Sequence, residues 1–246
     1  MIEDLLKANR AWADGKVKVD PEFFNRLVAQ QSPEYLWVGC SDSRVPANDI
    51  VGRDPGEMFV HSNVANLCTP GDLNFLSVLQ YSVEVLKVRR ILVVGHYGCG
   101  GVLASLNMPD HGLVDHWIDP IRQLAEREKG PLAALDPHAR HDRLVELNAL
   151  EQARLVNANP IVVNARKRGQ GVGVHAWVYS LKTGIITDLH APVPPGAPEP
   201  SPGRAADGAT PATPAPSGGA GKPSGAPTAP SANKSERRGL FGRRLD

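Results

Sequence analysis

The sequence predicts an α/β fold, with a mainly parallel β-sheet that is flanked by helices. Three apolar runs, at residues 35–39, 58–61 and 91–95, have the continuous hydrophobic character of strands that are buried on both faces. Helical patterns precede the first run, separate the second from the third and follow the third, and the first and third runs each end in a loop of small and polar residues. Alternation of strands with helices is typical of a parallel sheet.

The elements can be assigned in order over residues 1–190. Apolar residues spaced from Ile2 to Trp12 predict an N-terminal amphipathic helix, and Pro21 begins a second one. Asp72 is a typical N-cap for an apolar helix that extends to about Lys87. The remaining patterns predict helices over about 113–129 and 139–167, and strands over 172–179 and 185–189.

The composition changes sharply after His190. Residues 191–232 are almost wholly Pro, Ala, Gly, Ser and Thr, and such a segment cannot bury enough apolar surface to offset the entropy of ordering it. We therefore expect a domain over residues 1–190 and a disordered tail over 191–246. The tail ends in a basic-hydrophobic cluster around Leu240 and Phe241, which is interpreted either as a solvated terminus or as a docking motif for an unknown protein partner or an anionic membrane surface.

The overall charge and composition exclude some classes of function. The formal net charge is +1, and residues 1–190 contain 20 basic and 22 acidic residues, so no basic surface predicts nucleic-acid binding. No window of about 18 apolar residues predicts a transmembrane segment, and the acidic N-terminus does not resemble a secretory signal. Three cysteines are a small, odd number that argues against a disulfide framework, which favours the reducing cytoplasm.

Three potential metal ligands follow the ends of two predicted strands. His96 and Cys99 have the spacing H-x-x-C on a glycine-rich turn after the third strand, and Cys40 follows the first strand. Since chemistry in open α/β sheets gathers at the carboxyl ends of strands, we expect the three side chains to meet there. Two thiolates and one imidazole favour zinc, and three protein ligands leave a fourth position for water, as in catalytic sites. The alternative is that Cys40 is only a small buried apolar residue.

An acidic and a basic residue lie close behind Cys40 in the sequence. Arg44 can hold the carboxylate of Asp42 in two hydrogen bonds, which fixes the direction of the carboxylate and keeps it ionised. A carboxylate that is fixed beside a metal can accept a hydrogen bond from the bound water and orient that water toward a substrate. The alternative interpretation is a surface ion pair or a loop cap.

Two stretches of the chain resemble a known family. Residues 40–46, with the sequence CSDSRVP, and residues 95–102, GHYGCGGV, are similar to the two signature stretches of β-class carbonic anhydrases. Further segments resemble proteobacterial members of that class, and the resemblance covers roughly residues 1–190. It implies reversible hydration of CO2 to bicarbonate and a proton by a homodimer or homotetramer.

The resemblance also implies roles for the candidate site residues. It places a zinc ion on Cys40, His96 and Cys99, with Asp42 and Arg44 as the catalytic pair. In related enzymes the aspartate can leave the arginine and bind zinc directly, which gives an inactive, closed site. Asp42 is therefore an alternative fourth ligand.

A regulatory anion site is a further implication of the resemblance, and it consists of Trp37, Tyr179 and the residue at position 62. Many proteobacterial relatives have Arg at this position, in a pocket that binds bicarbonate away from the zinc and favours the closed site. Ser62 in this chain offers no cation. We therefore expect weak inhibition by bicarbonate, unless another cation replaces the missing Arg.

Three other functions are compatible with parts of this pattern. Relatives of the family hydrolyse CS2 or COS with the same zinc site, and a non-catalytic, zinc-stabilised scaffold needs only the metal ligands. The pair formed by Asp42 and Arg44 argues against the scaffold, because a structural zinc has no use for it. A cysteine phosphatase needs five residues between its Cys and its Arg, whereas three residues separate Cys40 from Arg44.

The remaining candidate residues are interpreted as structural. Cys68 has no neighbouring ligand in the sequence and is predicted to be a buried apolar side chain, and His61 is predicted to lie on a strand without binding metal. Trp12, Phe23 and Phe24 are predicted to pack, either within the chain or against a partner subunit. Four histidines in helical, charge-rich segments are predicted to be solvated: His111, His116, His138 and His141.

Overall fold

The computed structural model describes residues 2–29, 31–107 and 112–191. His111 and the predicted tail beyond residue 191 lie outside the described residues. The disorder of the tail and the boundary after residue 190 therefore stay predictions.

Five strands form the sheet at the centre of the domain, and their bounds are Tyr35–Cys40 (β1), Met58–Asn63 (β2), Arg90–His96 (β3), Gly173–Tyr179 (β4) and Ile186–Asp188 (β5). Their order in the sheet is β2-β1-β3-β4-β5. The first four of these are parallel, and β5 is antiparallel to β4. Nearly every residue of β1 and β3 is buried, which explains the continuous apolar runs in the sequence. The predicted α/β class with a mainly parallel sheet is confirmed.

Ten α-helices accompany the sheet in the described part of the chain: Ile2–Val19 (α1), Phe23–Ala29 (α2), Ala47–Ile50 (α3), Leu73–Gln80 (α4), Gly100–Leu106 (α5), Leu113–Trp117 (α6), Asp119–Arg127 (α7), Lys129–Ala133 (α8), Pro137–Ala158 (α9) and Pro160–Lys167 (α10). A 3₁₀ turn covers Val64–Asn66, and a π-helical turn, Tyr81–Val85, follows α4. The predicted cap at Asp72 is confirmed, because its side chain accepts a hydrogen bond from the N–H of Asn74 at 3.0 Å. No described helix has an apolar stretch long enough to cross a membrane.

The two long helices predicted in the second half of the chain are wrong in their extent. The pattern over 113–129 is divided among α6, α7 and α8, and the pattern over 139–167 is divided between α9 and α10. The second break has a local cause, because Pro160 has no N–H and disfavours a helical conformation in the residue before it. Asn159 is that residue, and its side chain caps α10 by accepting a hydrogen bond from the N–H of Ile161 at 3.0 Å.

The two faces of the sheet are covered differently. One face packs against α4, α9 and α10, in a core that includes the fully buried Leu36 and Ile91. The opposite face carries the buried Trp37 and Leu92, together with aromatic residues that are only partly buried. Helix α1 has no buried residue, so its apolar side chains remain open on the surface of the single chain.

Candidate active site

The candidate metal ligands lie at the carboxyl ends of β1 and β3, which are neighbours in the sheet. Cys40 is the last residue of β1, His96 is the last residue of β3, and Cys99 is the N-cap of α5. The donor atoms of these three side chains lie within 4.8 Å of one another, and 3.9 Å separates the two sulfur atoms. The strand ends therefore bring together the three residues that the sequence singled out.

The buried ring of His96 indicates that this group fits a metal ion. Its Nδ1 lies 3.2 Å from the backbone oxygen of Tyr97, and because that oxygen only accepts hydrogen bonds, Nδ1 is protonated and Nε2 carries a lone pair. Nε2 is buried and makes no hydrogen bond within the described residues. Leaving such an atom unpaired costs about 1–3 kcal/mol. A metal ion shared with two sulfurs would take up this lone pair, and the donor set of two thiolates and one imidazole suits zinc.

Hydrogen bonds determine where negative charge lies on the two sulfurs. The hydrogen bond with Cys99 lowers the pKa of Cys40 well below that of an ordinary thiol, although burial raises it, and the N–H of Ala65 lowers it further. The same bond with Cys40 raises the pKa of Cys99, as does burial, whereas the N–H groups of Gly101 and Val102 oppose this increase. Since a metal binds the thiolate form, the N–H groups that face both sulfurs favour the state that binding requires.

Asp42 and Arg44 form a hydrogen-bonded ion pair beside the ligand group. Arg44 Nε and Nη2 lie 2.9 and 2.7 Å from the two carboxylate oxygens, and the backbone N–H of Arg44 donates to Oδ1 at 3.0 Å. The hydrogen bonds from Arg44 hold the pKa of Asp42 well below its usual range. Asp42 Oδ2 lies 3.7 Å from His96 Nε2. The carboxylate is therefore ionised, faces the ligand group and is engaged by Arg44.

Residues 35–186, which contain all five of these side chains, match the family model described as "Carbonic anhydrase". The structure is similar to that of the Coccomyxa β-carbonic anhydrase in complex with acetazolamide, with a TM-score of 0.75 and 40% identity over 77% of this chain and 86% of that one. The chain belongs to the β-class carbonic anhydrase family.

Fungal and bacterial members of the family are both similar to this chain. The carbonic anhydrase of Emericella nidulans is 46% identical over 193 residues, which cover 78% of this chain and 85% of that one. The carbonic anhydrase of Pseudomonas aeruginosa is 32% identical over 176 residues, which cover 68% of this chain and 78% of that one. The family is thus established, whereas the predicted proteobacterial subgroup is not confirmed.

The residues of the predicted anion site share one face of the sheet. Trp37 is buried, and its Nε1 lies so close to Gly39 that a Cβ added there would lie 2.2 Å from this nitrogen. Gly39 pairs with Ser62 on β2, and Tyr179 pairs with His96 between β4 and β3. Ser62 is exposed on the edge strand of the sheet. A role for this set in anion binding stays a prediction.

The prediction that His141 is solvated is wrong. This side chain is 9% exposed, and its Nε2 lies 3.0 Å from the backbone oxygen of Cys99. It lies on the buried face of α9 with Leu144 and Asn148, three and seven residues further along. That helical spacing is the signal in the sequence that identifies His141 as buried, because it places the ring on the apolar face rather than on the charged one.

The positions of the other residues interpreted as structural agree with the prediction where they are described, and the absence of a metal at His61 stays a prediction. Cys68 is buried in the core, and burial raises the pKa of its thiol. His61 is buried and lies against the ring of Phe75, with 5.7 Å between the ring centroids. His116 and His138 are exposed.

Proposed function

We propose that this chain catalyses the reversible hydration of CO2 to bicarbonate and a proton, with zinc held by Cys40, His96 and Cys99. The observation that carries this proposal is the buried, unpaired Nε2 of His96 beside two cysteine sulfurs. A structural zinc site has four protein ligands, whereas three donors come together here among the described residues. Three ligands leave one position open, as catalysis requires.

The residues around the ligand group have distinct parts in this reaction. When bound, zinc would supply hydroxide for the reaction, because it lowers the pKa of a coordinated water from ~15.7, to ~7 where three neutral imidazoles hold the metal. Asp42 is placed to accept a hydrogen bond from a water molecule at the ligand group, which orients the oxygen toward CO2. Arg44 fixes the direction of this carboxylate and keeps it ionised. Two thiolates neutralise the charge of the metal, so we expect activity to increase on the alkaline side of neutral.

Stopped-flow CO2 hydration by protein of measured zinc content tests this proposal. We expect about one zinc per chain, and loss of turnover when the metal is removed. Assays of the same protein with COS and CS2 distinguish the alternative hydrolase. A fully zinc-loaded chain that converts none of the three gases would favour the non-catalytic scaffold and contradict the proposal.

Self-association into a homodimer or homotetramer is also proposed. Helix α1 has no buried residue, and its Ile2, Leu5 and Leu6 are 74%, 67% and 60% exposed. Trp12 contacts Phe23 of α2 edge to face, with 6.4 Å between the ring centroids, so α1 and α2 pack together and leave this apolar side open. A tetrameric β-carbonic anhydrase of Sordaria macrospora is similar to this chain, with a TM-score of 0.74 and 36% identity over 77% of this chain and 96% of that one. Light scattering measures the assembly.

The cytoplasm is the proposed location of the protein. All three cysteines are free and buried, and the proposed function requires two of them as thiolates. A reducing compartment preserves that state. Fractionation with an antibody against the chain tests the proposal.

Removal of the tail is expected to leave the enzyme intact. The described chain reaches Ala191, and the N–H of Leu189 is still bonded to the backbone oxygen of Ala176 at 2.9 Å. A chain truncated after His190 should therefore keep its CO2 hydration rate and, in light scattering, its oligomeric state. Dissociation of the truncated protein into monomers would contradict this and show that the tail belongs to the fold. Loss of binding to anionic vesicles on truncation would support a docking role for the cluster around Leu240 and Phe241.

Ser62→Arg is expected to strengthen inhibition by bicarbonate. A charge-assisted hydrogen bond to an anion contributes about 1.5–3 kcal/mol, so its absence weakens binding by about one to two orders of magnitude. An inhibitor acts only through its higher affinity for the inactive state, and weak binding therefore gives weak inhibition. We expect the wild type to be poorly inhibited, and Ser62→Arg to lower the inhibitory bicarbonate concentration about tenfold at fixed ionic strength.

Ser62→Gln is the matched control for this experiment, because it lengthens the side chain without adding charge. It should leave the inhibition close to that of the wild type. The proposed anion site would be contradicted by steep, cooperative inhibition of the wild type at low bicarbonate that Ser62→Arg does not change.

A further inference from the structure

Helix α9 carries two buried polar side chains that reach the backbone around the candidate metal site. His141 and Asn148 are seven residues apart, so they lie on the same face of the helix about two turns from each other. They are 9% and 1% exposed, and Leu144 between them packs in the core that contains Cys40 and Cys99. Neither polar side chain takes part in the reaction proposed above.

His141 forms a hydrogen bond with the backbone of Cys99, one of the two candidate thiolate ligands. Its Nε2 lies 3.0 Å from the backbone oxygen of Cys99, and since that oxygen can only accept, Nε2 is the donor. The same oxygen accepts the N–H of Leu103 at 3.0 Å, the first hydrogen bond of α5. Both lone pairs of the Cys99 oxygen are thus engaged, one by α5 and the other by α9. His141 thus helps to orient the peptide group that follows the Cα atom of Cys99, the atom that carries its side chain.

Asn148 forms a hydrogen bond with the backbone of Ala65, which faces Cys40, the other candidate thiolate ligand. Its Nδ2 donates to the backbone oxygen of Ala65 at 3.0 Å, and its Oδ1 accepts from Nε2 of Gln152 at 3.0 Å. Oε1 of Gln152 accepts the N–H of Cys68 at 2.8 Å, which determines the orientation of both amide groups. Asn148 is thus fixed in the orientation that presents its N–H₂ to Ala65.

Ala65 has a strained backbone conformation that is stable only when neighbouring groups, such as Asn148, form hydrogen bonds with it. It is fully buried and left-handed, with φ 65° and ψ 29°, which residues other than glycine rarely adopt. The N–H of Ala65 faces the sulfur of Cys40. The side chain of Asn63 spans the same turn and bonds to the N–H and oxygen of Leu67 at 2.7 and 2.8 Å. The hydrogen bond from Asn148 thus helps to hold a strained peptide against a metal ligand.

We propose that His141 and Asn148 are positioning residues of the metal site, which act through one helix on the surroundings of both thiolates. His141 orients the Cys99 peptide, and Asn148 keeps the N–H of Ala65 on the sulfur of Cys40. Both hydrogen bonds come from one continuous helix, so α9 links the segment that carries Cys99 to the turn that faces Cys40, and the two sulfurs lie 3.9 Å apart. The inference rests on the proposed function in one respect, which is that these sulfurs bind zinc.

Metal release from the His141→Leu and Asn148→Leu variants tests this inference. Each variant keeps the approximate volume of the side chain and removes the hydrogen-bond donor. We expect zinc transfer to a chromophoric chelator to be about 10–100-fold faster than in the wild type, the range typical of groups that orient metal ligands. The cobalt-substituted variants should also show shifted d–d and thiolate charge-transfer bands, because the positions of the sulfurs change.

Three further variants separate positioning from general stability. His138→Leu lies on the same helix with a side chain that is 88% exposed, and it should release zinc at the wild-type rate. His141→Gln can place an N–H donor near the original Nε2, whereas His141→Asn is too short to do so. We expect Gln to restore slow release and Asn to fail, even if the leucine variants do not fold.

The outcomes that overturn the inference differ from those that overturn the proposed function. A wild-type chain that binds no zinc would contradict the proposed function and, with it, this inference. Lowered melting temperatures with wild-type zinc release and cobalt spectra, or equal release from the Gln and Asn variants, would show that the two side chains only stabilise the fold. Those results would overturn the inference alone.

Discussion

Substitution of Cys40 by Ser is expected to remove both the bound zinc and the CO2 hydration activity. A serine hydroxyl stays neutral in the pH range where a thiolate forms, so it supplies neither the charge nor the soft donor atom that zinc requires. The remaining Cys99 and His96 would hold the metal with two ligands. We expect metal analysis of the purified variant to find zinc close to background, and stopped-flow measurements to find no hydration above the uncatalysed rate.

Cys68→Ala is the matched control, because Cys68 is also free and buried but lies in a core cluster outside the ligand group. This variant should keep its zinc and its turnover. Full zinc content in Cys40→Ser would remove Cys40 from the ligand set.

Asp42→Ala is expected to keep zinc and to lower turnover by about 10–100-fold, the range typical of groups next to metal ligands. Asp42 is not among the three donors that lie within 4.8 Å of one another in the described residues, so the metal should remain. The substitution removes the acceptor that orients the reacting water and leaves Arg44 without its partner. Stopped-flow rates per bound zinc measure the loss.

The pH dependence of the Asp42→Ala variant provides a second test. Because its hydrogen bonds with Arg44 lower the pKa of Asp42 well below the usual range, the wild-type carboxylate is already ionised under mildly acidic conditions. Its removal should therefore lower the rate by the same factor from mildly acidic to alkaline pH. Asp49→Ala, which replaces an exposed carboxylate at the start of α3, should behave as the wild type. Near-normal turnover of Asp42→Ala at alkaline pH would instead show that the pair with Arg44 is structural.

The sequence by itself determined the fold class and the place of the candidate site. Continuous apolar runs and intervening helical patterns are properties of the local chain, because burial of a parallel strand on both faces requires apolar residues at every position. The predicted strand ends placed Cys40, His96 and Cys99 at one edge of the sheet, and the resemblance to β-class carbonic anhydrases implied that they form one set of ligands. The N-cap of α4 could also be predicted from the sequence. The hydrogen bond that the side chain of Asp72 accepts from the N–H of Asn74 spans only two residues.

Only the tertiary structure decided how the ligand group is supported. His141 lies 42 residues from Cys99 in the sequence, and Asn148 lies 83 residues from Ala65. The helical spacing marks His141 as buried, but a charge-rich helical segment does not reveal which loop its buried face will meet, so the contact with Cys99 could not be predicted. The left-handed conformation of Ala65 could not be predicted from residue propensities either. It persists only because the surrounding groups hold it. Patterns in a sequence report on neighbours within a few residues, whereas these hydrogen bonds form only after the sheet and α9 have brought distant segments together.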